Sequence, residues 1–295
     1  MAAAPKLLRD VFGFDGFRPG QQEIVEAVTR GENVLAIMPT GGGKSLCFQM
    51  PALLRDGVTV VISPLIALMR DQVRALQELG VGAGALTSGN TPEETDAVWE
   101  GLEAGTLKLL YMAPERLAAG SVPGMLKRIG VSMIAVDEAH CVSQWGHDFR
   151  PEYLRLAVLH EQFPNVPRLA LTATADEPTE KDIIERLGLS FGKIYRAGFD
   201  RPNICYRLTT KNNGTAQLLD FIKTEHNEDA GIVYCMSRKK VEQVAAKITA
   251  TGRIALPYHA GLEAATRQAT QARFLKDDAV IIVATIAFGM GIDKP

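Results

Sequence analysis

Two successive α/β units, each built on a parallel β-sheet, are the fold this sequence predicts. Three observations predict it. Short apolar runs alternate with amphipathic helical runs across residues 34–171 and again across 204–284. A parallel sheet covered by helices on both faces is the arrangement that buries such strands. The alternation breaks once, at Phe199-Asp200-Arg201-Pro202-Asn203, which reads as a linker. Finally, nearly every segment with unusual chemistry follows directly on a strand-like run, and open parallel sheets hold ligands at the carboxyl ends of their strands. The units are therefore placed at residues 1–198 and 204–295, joined by 199–203.

In chain order, residues 7–17 read as a short amphipathic helix and a loop, and Phe17-Arg18-Pro19-Gly20-Gln21-Gln22 opens a helix running to Thr29. Strand-like runs follow at 34–38, 58–62, 83–86, 108–112, 133–136 and 168–171, with helix-like runs such as 65–79 and 92–103 between them. The second unit has strand-like runs at 204–208, 231–235, 255–258 and 280–284, and helix-like runs at 216–226, 239–249 and 263–274.

The 295 residues suffice for two domains of ordinary size, and 46% hydrophobic with 22% charged residues is a globular composition. No apolar run approaches the roughly 20 residues of a membrane span, and the first residues lack the apolar core of a secretion signal. A cytoplasmic location with no membrane partner is the expectation. Cys47, Cys141, Cys205 and Cys235 show no C-x-x-C spacing. They are expected to be buried small side chains rather than zinc ligands or disulfide partners. Net charge is −2. Residues 203–295 carry 12 Lys and Arg against 9 Asp and Glu, leaving 20 against 25 in residues 1–202. A polyanion must therefore be held by a local groove rather than by bulk charge.

The apolar run Asn33-Val34-Leu35-Ala36-Ile37 leads into Met38-Pro39-Thr40-Gly41-Gly42-Gly43-Lys44-Ser45, and a helix-compatible run follows. Strand, glycine loop and helix start, in that order, make a phosphate cradle. Glycines let backbone N–H groups turn toward one anion, and the helix adds its positive end. Thr40, Gly41, Gly42 and Gly43 form the loop, Lys44 reaches the outer phosphates, and the Ser45 hydroxyl ligands Mg²⁺. The strict pattern asks for glycine at the first position, where this chain has Met38.

A second signal is Ile134-Ala135-Val136-Asp137-Glu138-Ala139-His140, an apolar strand ending in two adjacent carboxylates. Acidic groups at the end of a buried strand are costly unless a cation meets them. Asp137 is placed to hold Mg²⁺ through water, beside Ser45, and Glu138 to orient and deprotonate an attacking water. A third strand end carries Leu171-Thr172-Ala173-Thr174, which gains meaning only in this company.

Together these segments resemble a superfamily-2 helicase, specifically the RecQ family. The matching stretches are Phe17 to Gln21, Met38 to Ser45, Val61-Ile62-Ser63-Pro64-Leu65-Ile66-Ala67-Leu68-Met69, Asp137 to His140, Thr172 to Thr174, and Ala284-Thr285-Ile286-Ala287-Phe288-Gly289-Met290-Gly291. The most specific is Cys141-Val142-Ser143-Gln144-Trp145-Gly146-His147-Asp148-Phe149-Arg150-Pro151-Glu152-Tyr153, which resembles the aromatic-rich loop of RecQ proteins. The resemblance covers essentially the whole chain. It implies two tandem RecA-like P-loop NTPase lobes, with ATP and Mg²⁺ as cofactors and single-stranded and partly duplex DNA as partners. The implied activity is ATP-driven 3′–5′ translocation in DNA repair and recombination.

The resemblance also implies roles. Phe14 and Arg18 sandwich the adenine and Gln21 bonds its edge. His140, Thr172 and Thr174 connect the ATP site to the lobe interface. Trp145, His147, Phe149 and Arg150 meet single-stranded DNA, and Ser237, Arg238 and Thr285 meet its phosphates. Gly289, Gly291 and Asp293 close on the nucleotide from the second lobe. The family's later arginine motif, Gln-x-x-Gly-Arg-x-Gly-Arg, is absent before Pro295. The second lobe is thus expected to be incomplete, with zinc ligands only further on, and the chain to be a fragment of a longer protein. Two alternatives stay open. One is a nucleotide- and DNA-binding module with little catalysis, and the other is an RNA helicase.

Overall fold

The computed structural model describes residues 3–117, 122–146, 148–198, 204–285, 288 and 294. The chain divides into two compact units, Met1–Arg201 and Pro202–Pro295. The linker at residues 199–203 lies outside the described residues.

The first unit is an α/β layer structure around seven strands: β1 (Val34–Ile37), β2 (Val58–Ile62), β3 (Ala83–Leu86), β4 (Leu109–Met112), β5 (Val131–Val136), β6 (Arg168–Thr172) and β7 (Lys193–Arg196). All pair in parallel, in the order β3-β4-β2-β5-β6-β1-β7. Successive side chains point to opposite faces of a strand, so each inner strand feeds two cores. Leu35, Ile37, Val60, Leu110 and Ile134 pack on one face, and Val34, Ala36, Val61, Leu109 and Met133 on the other. Such a buried aliphatic side chain is worth about 1.5–3 kcal/mol relative to exposure. Covered on both sides, the strands have no polar face to display, which is why the sequence shows continuous apolar runs.

The order of the strands has a functional consequence. β5, β6 and β1 are consecutive in the sheet, so their carboxyl ends lie side by side. Those ends carry Asp137-Glu138, Thr172 and the glycine loop. Helices return the chain between strands. Pro92–Glu103, for example, opens with a capping box in which Thr91 Oγ1 accepts from the Glu94 N–H at 3.2 Å while the Glu94 carboxylate accepts from the Thr91 N–H at 3.0 Å. Strand β7 is the element the periodicity does not predict. Lys-Ile-Tyr-Arg holds only two apolar residues, and an edge strand beside β1 needs no more.

In the second unit, β8 (Gly231–Tyr234), β9 (Ala255–Tyr258) and β10 (Ile281–Ala284) form a parallel sheet in the order β8-β10-β9. Helices Gly214–Glu225, Arg238–Thr249 and Ala264–Lys276 accompany it. The strand expected at 204–208 is not formed. These residues are irregular, and Leu208 is 96% exposed. An apolar pattern alone does not make a strand, because the ladder needs a neighbour to take its N–H and C=O groups. Among the described residues no helix is long and apolar enough to cross a membrane.

Candidate nucleotide site and nucleic-acid loop

The glycine loop leaves β1 and enters helix Leu46–Leu54 directly. Gly41 and Gly43 have φ of 79° and 78°, a left-handed backbone that a side chain disfavours. A Cβ on Gly42 would stand 2.8 Å from the Pro39 carbonyl oxygen, and one on Gly43 would strike the Gln21 amide. The loop is therefore a cradle that only glycine can line. The Lys44 ammonium rests on the Met38 carbonyl oxygen at 3.3 Å. Gln21, buried, donates from Nε2 to the Gly43 and Gly42 carbonyls at 3.0 and 3.4 Å, while its Oε1 accepts from the Arg18 N–H at 2.7 Å. Arg18 Nη1 donates to the Gly41 carbonyl. The residues expected to read the base are thus bonded to the loop expected to hold the phosphates. Phe14 is 50% exposed and presents an open ring.

At the end of β5 the Asp137 N–H donates to the Ile62 carbonyl at 2.8 Å, and its Oδ1 accepts from the Glu138 N–H at 3.0 Å. Burial pushes the Asp137 carboxyl up to about 7, and the Glu138 charge adds to this; the Glu138 N–H and the Lys44 charge work the other way. Lys44 and Asp137 therefore act within one electrostatic site. A cradle of this shape, a lysine, a hydroxyl on Ser45 and a carboxylate short of positive charge fit a Mg²⁺–triphosphate. When bound, Mg²⁺ would neutralise phosphate charge, held by Ser45 and Asp137.

Glu138 has φ 48° and ψ 45°, a left-handed conformation at a non-glycine residue. Such strain is held only where the surroundings fix it. The turn aims Glu138 Oε2 at His140 Nδ1, 3.3 Å away. His140, buried, also lies 2.9 Å from Thr172 Oγ1 through the same nitrogen. Thr172 Oγ1 gives its own proton to the Thr174 carbonyl at 3.0 Å, so His140 Nδ1 is the donor to Thr172. A hydrogen-bonded path runs from His140 to Thr172 and on to Thr174, with the Glu138 carboxylate 3.3 Å from its first nitrogen.

The aromatic-rich loop folds back onto this turn. The Arg150 N–H donates to the Cys141 carbonyl at 3.0 Å, and a Cβ on Gly146 would sit 2.5 Å from the His140 carbonyl oxygen. Trp145 is 73% exposed, with its N–H on Ser143 Oγ at 3.2 Å, and Ser143 donates to Asp182 at 2.7 Å. Phe149 is half-buried. Arg150 forks onto Asp148 at 3.1 and 3.0 Å and reaches the Pro64 carbonyl at 3.3 Å. Tyr153 is core: it is fully buried, and its hydroxyl donates to the Asp137 carbonyl at 3.0 Å. His147 lies outside the described residues. His140, Cys141 and Asp148 bring ligand atoms within 4.8 Å of one another. Arg150 already occupies that Asp148 oxygen, and burial raises the Cys141 thiol to about 12, so the group is a hydrogen-bond cluster.

In the second unit Ser237 caps helix Arg238–Thr249, its side chain accepting from the Lys240 N–H at 3.3 Å. Arg238 is exposed, and Thr285 follows β10 with its N–H on the Tyr258 carbonyl at 3.3 Å. Gly289, Gly291 and Asp293 lie outside the described residues. Two of the four cysteines differ from expectation. Cys47 and Cys141 are buried, but Cys205 is exposed, since its segment joins no sheet, and Cys235 is half-buried at the end of β8.

Sequence reading missed Gln72. From helix Ile66–Glu78 it donates Nε2 to Ser45 Oγ at 2.8 Å. A glutamine on an amphipathic helix carries no signal of its own. The nearest hint is Gln49, a buried amide within an otherwise apolar helix.

A family model described as DEAD/DEAH box helicase matches residues 18–183, and one described as helicase conserved C-terminal domain matches residues 213–295. Taken with a glycine cradle beside an Asp-Glu-Ala-His strand end, this places the chain among the DEAD/DEAH box helicases. Within that class it belongs to the RecQ family. It is 48% identical over 291 residues to the ATP-dependent DNA helicase RecQ of Haemophilus influenzae, covering 99% of this chain and 47% of the relative. It is 42% identical over 293 residues to that of Bacillus subtilis, covering 99% and 49%. The chain thus spans about half the length of these curated relatives. Among solved structures, DUF1998 helicase MrfA bound to DNA matches with a TM-score of 0.75 at 18% identity, over 99% of this chain and 45% of that one. DEAD-box helicase Mss116 bound to ssRNA and UDP-BeF matches with a TM-score of 0.71 at 17% identity, over 98% and 65%. At such identities the likeness shows the fold, a tandem pair of RecA-like helicase domains.

Proposed function

We propose that the chain forms the motor of an ATP-dependent DNA helicase, coupling Mg²⁺–ATP hydrolysis to 3′–5′ movement along single-stranded DNA in repair and recombination. The observation that carries this reading is the adjacency of β5, β6 and β1, whose ends bring the carboxylate pair, Thr172 and the glycine loop together. Lys44 and the loop N–H groups hold the phosphates, Ser45 and Asp137 hold Mg²⁺, and Phe14, Arg18 and Gln21 hold the base. Glu138 orients the attacking water and takes its proton. Trp145, Phe149 and Arg150 meet single-stranded DNA by stacking and charge. Their loop is bonded to the residues that follow Glu138, so DNA contact biases the turn that aims it. Ser237, Arg238 and Thr285 supply phosphate contacts in the second unit. The DNA helicase names of the RecQ relatives support DNA over RNA as the strand.

DNA-dependent phosphate release tests the proposal, with nucleotide binding followed alongside. Mg²⁺–ATP binding is expected to be lost in Lys44→Ala, and phosphate release to rise strongly with single-stranded DNA. Equal rates with and without DNA overturn the helicase reading, and equal stimulation by RNA overturns the choice of DNA.

A further inference from the structure

The Ser45 hydroxyl has two lone pairs and one proton, and the structure engages one of the lone pairs. Gln72 Nε2 donates to Ser45 Oγ at 2.8 Å and so fills one lone pair. Gln72 is itself held. Its Oε1 accepts from the Tyr111 hydroxyl at 3.0 Å and from Gln49 Nε2 at 3.4 Å. Tyr111 lies on β4, separated from β1 by three intervening strands of the sheet, and is almost fully buried. Its ring packs edge-on against Phe48 with centroids 6.2 Å apart. Burial raises the Tyr111 phenol above its ordinary value, so it remains a proton donor. With Oε1 taken by two donors, only the NH₂ end of Gln72 can face Ser45.

We infer that Gln72 is a positioning residue for the Mg²⁺ ligand. It fixes the Ser45 hydroxyl so that one lone pair stays open for the cation and the proton points away, toward a phosphate oxygen. Without Gln72 the hydroxyl is free to turn and donate to a backbone carbonyl of the preceding loop, as serine does when nothing else engages it. Tyr111 and Gln49 set the amide's orientation from beneath. This role rests on the reading of residues 38–45 as a Mg²⁺–ATP site.

The test is titration of the 295-residue chain with a fluorescent ATP analogue over a series of Mg²⁺ concentrations. The proteins compared are wild type, Gln72→Ala, Ser45→Ala, the double variant and Tyr111→Phe. Gln72→Ala is expected to raise the Mg²⁺ concentration at half-saturation by about two- to tenfold, the range of one neutral hydrogen bond, and to leave binding in EDTA unchanged. In the Ser45→Ala background it should add nothing, because the partner it acts through is gone. Tyr111→Phe should shift the Mg²⁺ dependence in the same direction by less, and it reports the relay even if Gln72→Ala folds poorly. Additive effects of Gln72→Ala and Ser45→Ala overturn the inference, as does an equal loss of affinity with and without Mg²⁺. A wild-type chain with no Mg²⁺-dependent nucleotide binding overturns the functional reading itself. A wild-type chain that shows it, beside a Gln72→Ala chain that matches wild type, overturns only the role of Gln72.

Discussion

Strand β5 of the first unit and strand β8 of the second are both short, parallel and rich in branched residues. Yet Ile134 on β5 is 1% exposed while Ile232 on β8 is 37% exposed. β5 has neighbours on both sides and apolar layers on both faces. β8 pairs with β10 alone among the described residues, and Tyr234 and Met236 at its end are exposed. The chemistry divides the same way. Asp137, at the end of β5, sits where burial moves its carboxyl to about 7, and a low-dielectric site of this kind strengthens its bond to a cation. Ser237 and Arg238, just past β8, stay in solvent, which suits contact with a hydrated polyanion whose phosphates are held one by one.

The largest effect expected falls on the buried side. Glu138→Gln keeps the shape of the site and removes the base, so ATP turnover should drop by about 10²–10⁴ with nucleotide affinity within about twofold. Phosphate release and a binding titration read the two separately, and normal turnover would break the assignment. The contrast in packing predicts the next effect. Ile134→Ala should cost about 2–5 kcal/mol in urea unfolding, against less than about 1 kcal/mol for Ile232→Ala. Equal costs would mean that the second sheet is covered after all. Trp145→Ala comes third, lowering single-stranded DNA affinity by about 1–3 kcal/mol for one lost stacking platform. An unchanged Kd would make the indole a bystander. Ser237→Ala is smallest and tests whether the serine is more than a helix cap. Loss of the cap alone costs about 1 kcal/mol of stability and leaves DNA affinity untouched, whereas loss of a phosphate contact also weakens binding.

The first unit was the more legible in sequence for the same reason that it is the better buried. Strands covered on both faces must be apolar throughout, so β1, β2, β5 and β6 stand out of the chain. The glycine loop and the carboxylate pair then stand out at their ends. Legibility fails where the cause is not local. Lys193–Arg196 is a strand because β1 offers an open edge, and residues 204–208 are not one because no ladder takes them up. The Gln72 contact spans 27 residues to Ser45, and the Tyr111 contact spans 39 residues to Gln72. Neither distance could be read from spacing. The path through His140 and Thr172 lies between the two. Both residue types were visible as motif members, but their 2.9 Å contact depends on β5 and β6 being neighbours.

The left-handed backbone at Glu138 carries a consequence for how this sequence is able to drift. An L-residue with a side chain gives up roughly 1–2 kcal/mol there, and glycine would recover much of it. Glu138→Gly is therefore an exchange that thermal stability alone would favour and that removes the carboxylate aimed at His140. Screens that select variants only by melting temperature will be drawn toward it. Selection for work must keep pushing the other way, holding a locally unfavourable residue in place inside the best-packed half of the molecule. On the role proposed for Glu138, stability and activity are set in opposition at one backbone torsion, so an engineered, hardier version of this chain should take its gains elsewhere.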